Sequence, residues 1–187
     1  MSLDLGACSD GELAALAIGG RQSAYSELMR RHRDAISRFA RAHTANDDAA
    51  LDIAQQTFIA GFAALGRFDQ SRPLRHWLTR IALNKCRDWA RRRKVRALFS
   101  FATPLENAPD PVDLSADVER EASDRQELVN VLAAMSGLPA RLKDVLVLRT
   151  VEGFSQAETA GLLSITEKAV ETRLYRARNK LQDILRG

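Results

Sequence analysis

The chain has 187 residues, of which 45% are hydrophobic, 6% aromatic and 28% charged, and its 28 Lys and Arg against 24 Asp and Glu give a net charge of +4. That length holds one large domain or two small ones, and the composition suits helical cores built from Leu, Ala, Val and Ile. No apolar run reaches bilayer length, no basic segment followed by an apolar one marks the N-terminus as a secretion signal, and Cys8 and Cys86 form no metal-ligand spacing, so the expectation is a reduced, cytoplasmic protein without membrane insertion.

In chain order, Ser9-Asp10-Gly11-Glu12 fits a capping box, in which a Ser hydroxyl and a Glu carboxylate satisfy free N–H groups at a helix start. Leu13, Leu16, Ala17, Tyr25, Leu28, Met29, Ile36 and Phe39 then recur at helical spacing, interrupted at Gly19-Gly20. Asn46-Asp47-Asp48 opens another helix, with Ile53, Phe58, Phe62 and Leu65 expected inward. Gly66 to Pro73 is a break, and the helix LRHWLTRIALNKCRDWARRRK follows from Leu74. On a wheel of about 100° per residue, Leu74, Trp77, Leu78, Ile81, Ala82 and Trp89 form a core stripe. Opposite them lie Arg80, Asn84, Arg87 and Arg91, with His76 and Thr79 flanking. A merely solvated face usually mixes signs, because acid–base pairs support a helix. This one holds no acid except Asp88 at its edge. The planar donor fork of arginine suits phosphate, so nucleic-acid binding is the expectation and a bland basic face the alternative.

Charge is unevenly spread. Residues 67–96 carry eleven basic and two acidic side chains, a local +9, whereas residues 97–127 carry two basic and eight acidic ones, a local −6. Pro104, Pro109 and Pro111 fall in the acidic stretch, where proline removes backbone donors and disfavours helix in the residue before it. The reading is all-α: two small helical domains, 1–96 and 123–187, joined by a flexible acidic linker over 97–122.

In the second domain, Leu142, Val145, Leu146 and Leu148 share a helical face that ends at Glu152-Gly153-Phe154. Ser155-Gln156-Ala157-Glu158 is a second capping box, its short helix ends near Leu163, and Thr166 caps a long helix with Val170, Leu174, Ala177, Leu181 and Leu185 in one stripe. Short helix, tight turn, long helix is the helix-turn-helix pattern, whose second helix enters the major groove of DNA by its N-terminal part. Lys168, Ala169, Thr172, Arg173 and Arg176 are the expected exposed residues there, and Ala160 permits the two helices to approach. The alternative is an αα-hairpin without a ligand.

Three stretches together resemble bacterial RNA polymerase sigma factors of the extracytoplasmic-function (ECF) type. They are Asp52-Ile53-Ala54-Gln55-Gln56-Thr57-Phe58; Phe68 through Arg93, with Trp77-Leu78-Thr79-Arg80-Ile81-Ala82-Leu83-Asn84 and Arg87-Asp88; and Leu138-Pro139 with Glu152-Gly153-Phe154-Ser155 and Arg173 to Arg178. The resemblance implies a first domain (region 2) that binds core polymerase and reads the promoter −10 element, and a second (region 4) that reads the −35 element. It implies polymerase contacts, on β′ with β also a partner, from Asp52, Gln55 and Gln56. The −10 contacts it implies are Phe68, Arg72, Arg75, Arg80, Asn84, Arg87 and Arg91. The −35 contacts are Ser155, Thr166, Lys168, Glu171, Thr172, Arg173 and Arg176. The partners are core RNA polymerase, promoter DNA and an anti-sigma factor, and no cofactor or metal is expected. The chain has Ala49-Ala50-Leu51 where the family commonly has Asp-Ala-Glu, Ser164 where it often has Gly, and Glu171 in place of a basic residue. A nuclease would need clustered metal-holding acids, whereas the dense acids here sit in the proline-broken segment. A free-standing helix-turn-helix regulator is the competing reading, and two unlike DNA-reading elements on one chain argue against it.

Overall fold

The computed structural model describes residues 3–99 and 118–186; the central, proline-containing part of the expected linker lies outside the described residues. The first unit holds α1 (Asp10–Ile18), α2 (Gln22–Thr44), α3 (Asp47–Ala63), a 3-10 turn at Leu65–Arg67, and α4 (Leu74–Phe99). The second holds α5 (Val118–Ser136), α6 (Ala140–Leu146), a π turn at Val147–Val151, α7 (Gln156–Leu163) and α8 (Glu167–Arg186). Helix thus enters both ends of the 97–122 segment.

The expected caps form. Ser9 Oγ accepts from the Glu12 N–H at 3.3 Å while Glu12 accepts from the Ser9 N–H at 2.6 Å. The bond from the Ser9 N–H, and after it one from Ser9 Oγ–H to Glu12 Oε2 at 2.8 Å, hold the Glu12 carboxyl below its ordinary range. Asn46 Oδ1 accepts from Ala49 N–H at 2.7 Å and starts α3. Leu28, Ile36 and Phe39 of α2, Ile53 and Phe58 of α3, and Leu74, Leu78 and Ala82 of α4 fill the core of the first unit. Gly61 lets α3 lie close on α4, since a Cβ there would come within 2.9 Å of Leu78 Cδ2. Two expectations are corrected. Met29, grouped with the apolar residues that recur at helical spacing, is 42% exposed. Thr79, placed beside the exposed stripe of α4, is buried; α4 packs on both α2 and α3, so more than one of its sides is covered.

The packing of the second unit against the first is the main feature the helical period does not announce. Leu146, Val147, Leu148 and Phe154 join the same apolar cluster as Phe39, Leu83 and Cys86, so the two units share one core. The chain leaves α6 through the π turn, with the Glu152 N–H bonded to the Val147 carbonyl at 3.1 Å and the Phe154 N–H to the Leu148 carbonyl at 3.0 Å. Gly153 supplies the positive φ of +69° that this helix end requires. A smaller cluster of Val145, Ala160 and Val170 fastens α6, α7 and α8 to each other.

Ser164 makes the turn between α7 and α8 in the left-handed region, at φ 54° and ψ 49°. A side chain there costs about 1–2 kcal/mol, part of which glycine would return through its larger unfolded-state entropy. Ser164→Gly is therefore expected to stabilise the protein by about 0.5–1 kcal/mol and to raise Tm by about 2 °C in a calorimetric scan. An unchanged or lower Tm would show that the serine is not strained.

Candidate polymerase and nucleic-acid interfaces

On α3, Asp52 and Gln55 are exposed and Gln56 is half-buried, with Gln56 Nε2 donating to Asp52 Oδ2 at 2.7 Å. Leu51 and Ile59 stand on the same helix face, 58% and 70% exposed. An exposed large apolar pair around polar groups marks a protein-contact surface better than the polar groups alone. The face continues to Phe62, which with Tyr25, Met29, Arg30 and Arg33 lines an open groove of about 600 Å³ between α2 and α3. Sequence reasoning named the polar members of this surface and missed Leu51, Ile59 and Met29. The available signal was two apolar side chains eight residues apart on an otherwise polar face.

The loop before α4 and the first turns of α4 enclose a second cavity, of about 330 Å³, lined by Arg67, Phe68, Asp69, Arg72, His76, Trp77 and Arg80 and walled on its far side by Glu158, Gly161 and Leu162 of α7. Phe68 is buried and packs on Trp77 with ring centroids 5.4 Å apart, so it forms the floor. Arg72 pairs with Asp69 at 3.2 Å on the rim. Ser71 also donates to Asp69 through Oγ at 2.6 Å and through its N–H at 3.0 Å, and these bonds hold the Asp69 carboxyl below its usual range. Arg80 and Asn84 are exposed. Arg91 is engaged by Asp88 one turn back.

Arg75 and Arg87 have partners that no local pattern names. Arg75 Nη2 donates to Glu152 Oε2 at 3.0 Å and to the Glu152 carbonyl, and its guanidinium lies 4.7 Å from the centroid of the Phe154 ring. Arg87 donates through Nε at 3.0 Å and Nη2 at 2.6 Å to Asp144 Oδ2. Asp144 is buried, and its other oxygen lies 3.3 Å from His43 Nε2. Burial opposes ionisation of Asp144, but His43 and then Arg87 outweigh it and hold the carboxyl below its ordinary value. Next to it, burial first and the Asp144 charge second push the Cys86 thiol up to about 12, which leaves Cys86 a packing residue with no thiolate chemistry at neutral pH. Cys8 and Cys86 are both free.

The helix-turn-helix is built by its caps. Ser155 Oγ accepts from the Glu158 N–H at 3.1 Å and Glu158 accepts from the Ser155 N–H at 2.7 Å. Thr166 Oγ1 accepts from the Ala169 N–H at 3.2 Å, and Gln156 Nε2 ties α7 to the Glu167 carbonyl at 3.2 Å. Val170 and Ala177 face inward on α8. Lys168, Glu171, Thr172 and Arg176 face solvent, with Lys168 paired to Glu171 at 2.8 Å. Ala169 and Arg173, both expected exposed, are half-buried. Tyr175 is 67% exposed on the same face, an aromatic the sequence reading did not single out although it lies one turn beyond Thr172. Among the described residues no group of His, Cys, Asp or Glu is placed to hold a metal ion, and no helix is long and apolar enough to cross a membrane.

Comparison with known proteins agrees with this geometry. Residues 28–96 match Sigma-70 region 2 and residues 128–181 match Sigma-70 region 4. The RNA polymerase sigma factor CnrH of Cupriavidus metallidurans is 39% identical over 184 residues, spanning 95% of this chain and 94% of its own. The ECF RNA polymerase sigma factor SigM of Mycobacterium tuberculosis is 31% identical over 177 residues, spanning 95% of this chain and 85% of its own. The solved structure of CnrH in complex with the cytosolic domain of CnrY superposes with a TM-score of 0.69, covering 94% of this chain and 96% of that one. With both regions in order and relatives matched along nearly their full length, the chain belongs to the sigma-70 family as an RNA polymerase sigma factor of the ECF type.

Proposed function

We propose that α3 docks this sigma factor on core RNA polymerase, on β′ with β nearby, through Asp52, Gln55 and Gln56 with the apolar Leu51 and Ile59 beside them. The loop and helix from Phe68 to Arg91 then capture the melted −10 element of promoter DNA. The 330 Å³ cavity over Phe68 and Trp77 is of a size to take an unstacked base. Extruding a base costs a few kcal/mol, which stacking on aromatic side chains and contacts from Arg80 and Asn84 offset. The N-terminal part of α8, with Thr166, Lys168, Glu171, Thr172, Arg173 and Arg176, reads the −35 element in the major groove, and Ser155 meets its backbone. Glu171 is suited to accept from cytosine N4. The observation that carries this reading is the pairing of two unlike DNA-facing elements, an arginine-lined base cavity and a recognition helix, on one chain that also exposes an apolar protein-contact stripe. Two weak contacts on one scaffold become one strong one. The chemistry is recognition without catalysis or cofactor, and its place is the cytoplasm, where polymerase is. Because CnrH was solved bound to the cytosolic domain of CnrY, an anti-sigma factor as a further partner fits the same reading.

The test is transcription by sigma-free core polymerase from a library of bacterial promoter fragments, with 5′-end sequencing of the transcripts. Defined start sites are expected, and Asp52→Ala with Gln55→Ala is expected to lower their yield at least about tenfold, as loss of about 1.4 kcal/mol of docking energy does. Tight DNA binding by the chain alone, with no initiation from core polymerase, would instead make it a free-standing helix-turn-helix regulator.

A further inference from the structure

The polar bonds along the rim of the 330 Å³ cavity close on themselves. Ser71 donates to Asp69 Oδ1 through its N–H and its hydroxyl, and Arg72 pairs with Asp69 Oδ2. The Arg72 N–H donates to the Asp69 carbonyl at 3.0 Å. These bonds shape the turn without fixing where it stands over Phe68 and Trp77. Support from outside comes from α1. That helix packs on the 3-10 turn Leu65–Arg67, just before the loop. In the loop itself, Gly11 of α1 lies against the main chain of Gln70. A Cβ on Gly11 would stand 3.6 Å from the Gln70 carbonyl oxygen and 3.8 Å from Gln70 Cβ. No Gly11 side chain separates the two segments, and glycine is the residue that lets two backbones approach this closely.

The start of α1 is in turn held hard by α2. With nine residues, α1 is too short to be stable alone. Arg31 of α2 finds an acceptor for each of its five guanidinium N–H donors. Nε donates to Glu27 at 2.8 Å, Nη1 to the Cys8 carbonyl at 2.8 Å and to Asp10 Oδ1 at 3.2 Å, and Nη2 to the Leu5 and Gly6 carbonyls at 3.0 and 2.9 Å. The other Asp10 oxygen is 2.7 Å from His32 Nε2. The side chains of Arg31, Asp10 and His32 are 22%, 29% and 12% exposed, so this is a fixed strut, unlike a loose surface ion pair. Asp10 directly precedes Gly11, and the position that α2 imposes on it passes to the loop at Gln70.

We propose that α1 is the positioning element of the −10 site. Arg31 and His32 fix Asp10, and Gly11 sets, through Gln70, how far the loop stands from Trp77 and so how wide the cavity is. Asp10, Gly11 and Arg31 are positioning residues that act through the loop. The inference rests on the reading of the 330 Å³ cavity as the site of the unstacked −10 base. A pocket discriminates between bases only when its walls are held to about 0.5 Å, and a turn bonded to itself does not supply that.

The test compares Gly11→Val with Gly11→Ala in the full chain. Alanine adds only the Cβ, which the space accepts at ordinary contact distance. Valine adds two further carbons on a stiff, branched Cβ that has little freedom to turn away from the loop. Core polymerase saturated with each variant transcribes barcoded templates of one promoter that the wild type uses, with its −10 and −35 positions randomised. Gly11→Val is expected to lower discrimination among −10 sequences about tenfold, as much as one well-read base position supplies. Its discrimination among −35 sequences and its binding to core polymerase are expected to stay at the wild-type level. Gly11→Ala is expected to keep all three. Wild-type −10 discrimination in Gly11→Val overturns the proposal. An equal loss at both elements also overturns it, as the mark of a generally loosened fold, and so does a loss in Gly11→Ala as large as that in Gly11→Val. If Gly11→Val loses its helical circular dichroism, Asp10→Ala, which frees the first turn of α1 without adding bulk, is judged by the same −10 and −35 criteria. Failure of the underlying reading shows separately: the Arg80→Ala, Asn84→Ala variant would then keep wild-type −10 discrimination.

Discussion

Phe39→Ala is expected to remove about 3–5 kcal/mol of stability, a large part of the roughly 5–15 kcal/mol that a domain of this kind has. Phe39 is wholly buried in the C-terminal part of α2, the helix that packs on α3, α4, α5 and the π turn. Its ring centroid lies 4.4 Å from that of His43, and its carbonyl is 3.0 Å from His43 Nδ1. Truncation therefore opens a cavity in the shared core and loosens His43, the residue that meets Asp144 from the α2 side. Both units are expected to lose stability together, with the urea midpoint falling by about 2 M for a slope of about 2 kcal/mol per M. Ile59→Ala is the contrasting case. At 70% exposure it is expected to leave the midpoint within about 0.5 kcal/mol of wild type while weakening polymerase binding. A Phe39→Ala protein in which the second unit keeps its wild-type midpoint would show that the two units do not share a core.

Local signals were legible. The Ser9–Glu12 and Ser155–Glu158 boxes, the Asn46 and Thr166 caps and the Gly153 turn each depend on residues within a few positions of one another, so the chemistry that forms them is on view in the sequence. The helical period placed most of the core of α2, α3 and α4 for the same reason. It failed where one helix serves two neighbours. Thr79 belongs to a second buried side of α4, which packs on both α2 and α3, and a single apolar stripe cannot announce two. Met29 fits the period of α2 but lies over the open groove toward Phe62. The π turn at Val147–Val151 was likewise silent, since its residues are as compatible with an ordinary helix. The arginine face of α4, with Asp88 its one acid in the sequence, also gave no hint of its distant partners. Arg87 on that face is met by Asp144 and Arg75 near it by Glu152, and contacts between positions that far apart are set by packing of the whole molecule.

Arg80 and Asn84 test the proposed DNA-reading surface more sharply than Arg75 or Arg87, because Arg75 and Arg87 are tied to Glu152 and Asp144, whereas Arg80 and Asn84 stand exposed on α4. Arg80 lines the 330 Å³ cavity proposed to take a base, and Asn84 follows one turn later on the same face. If Arg80 holds a phosphate and Asn84 a base edge, the double change Arg80→Ala, Asn84→Ala removes contacts worth about 1–3 kcal/mol each where they are well formed. Initiation from a fully duplex promoter is then expected to fall roughly ten- to a hundredfold or more. On a template already melted across the −10 element the cost of extruding the base has been met in advance, so weakened capture suffices and most of the activity is expected to return. Loss of the Arg80 charge is also expected to reduce the slope of log affinity against log salt by about 0.7 on single-stranded DNA. The stability of the variant is expected to stay within about 0.5 kcal/mol of wild type, so the loss cannot be assigned to unfolding. An equal defect on duplex and premelted templates, with an unchanged salt slope, would take Arg80 and Asn84 out of base capture and place their effect in docking to polymerase.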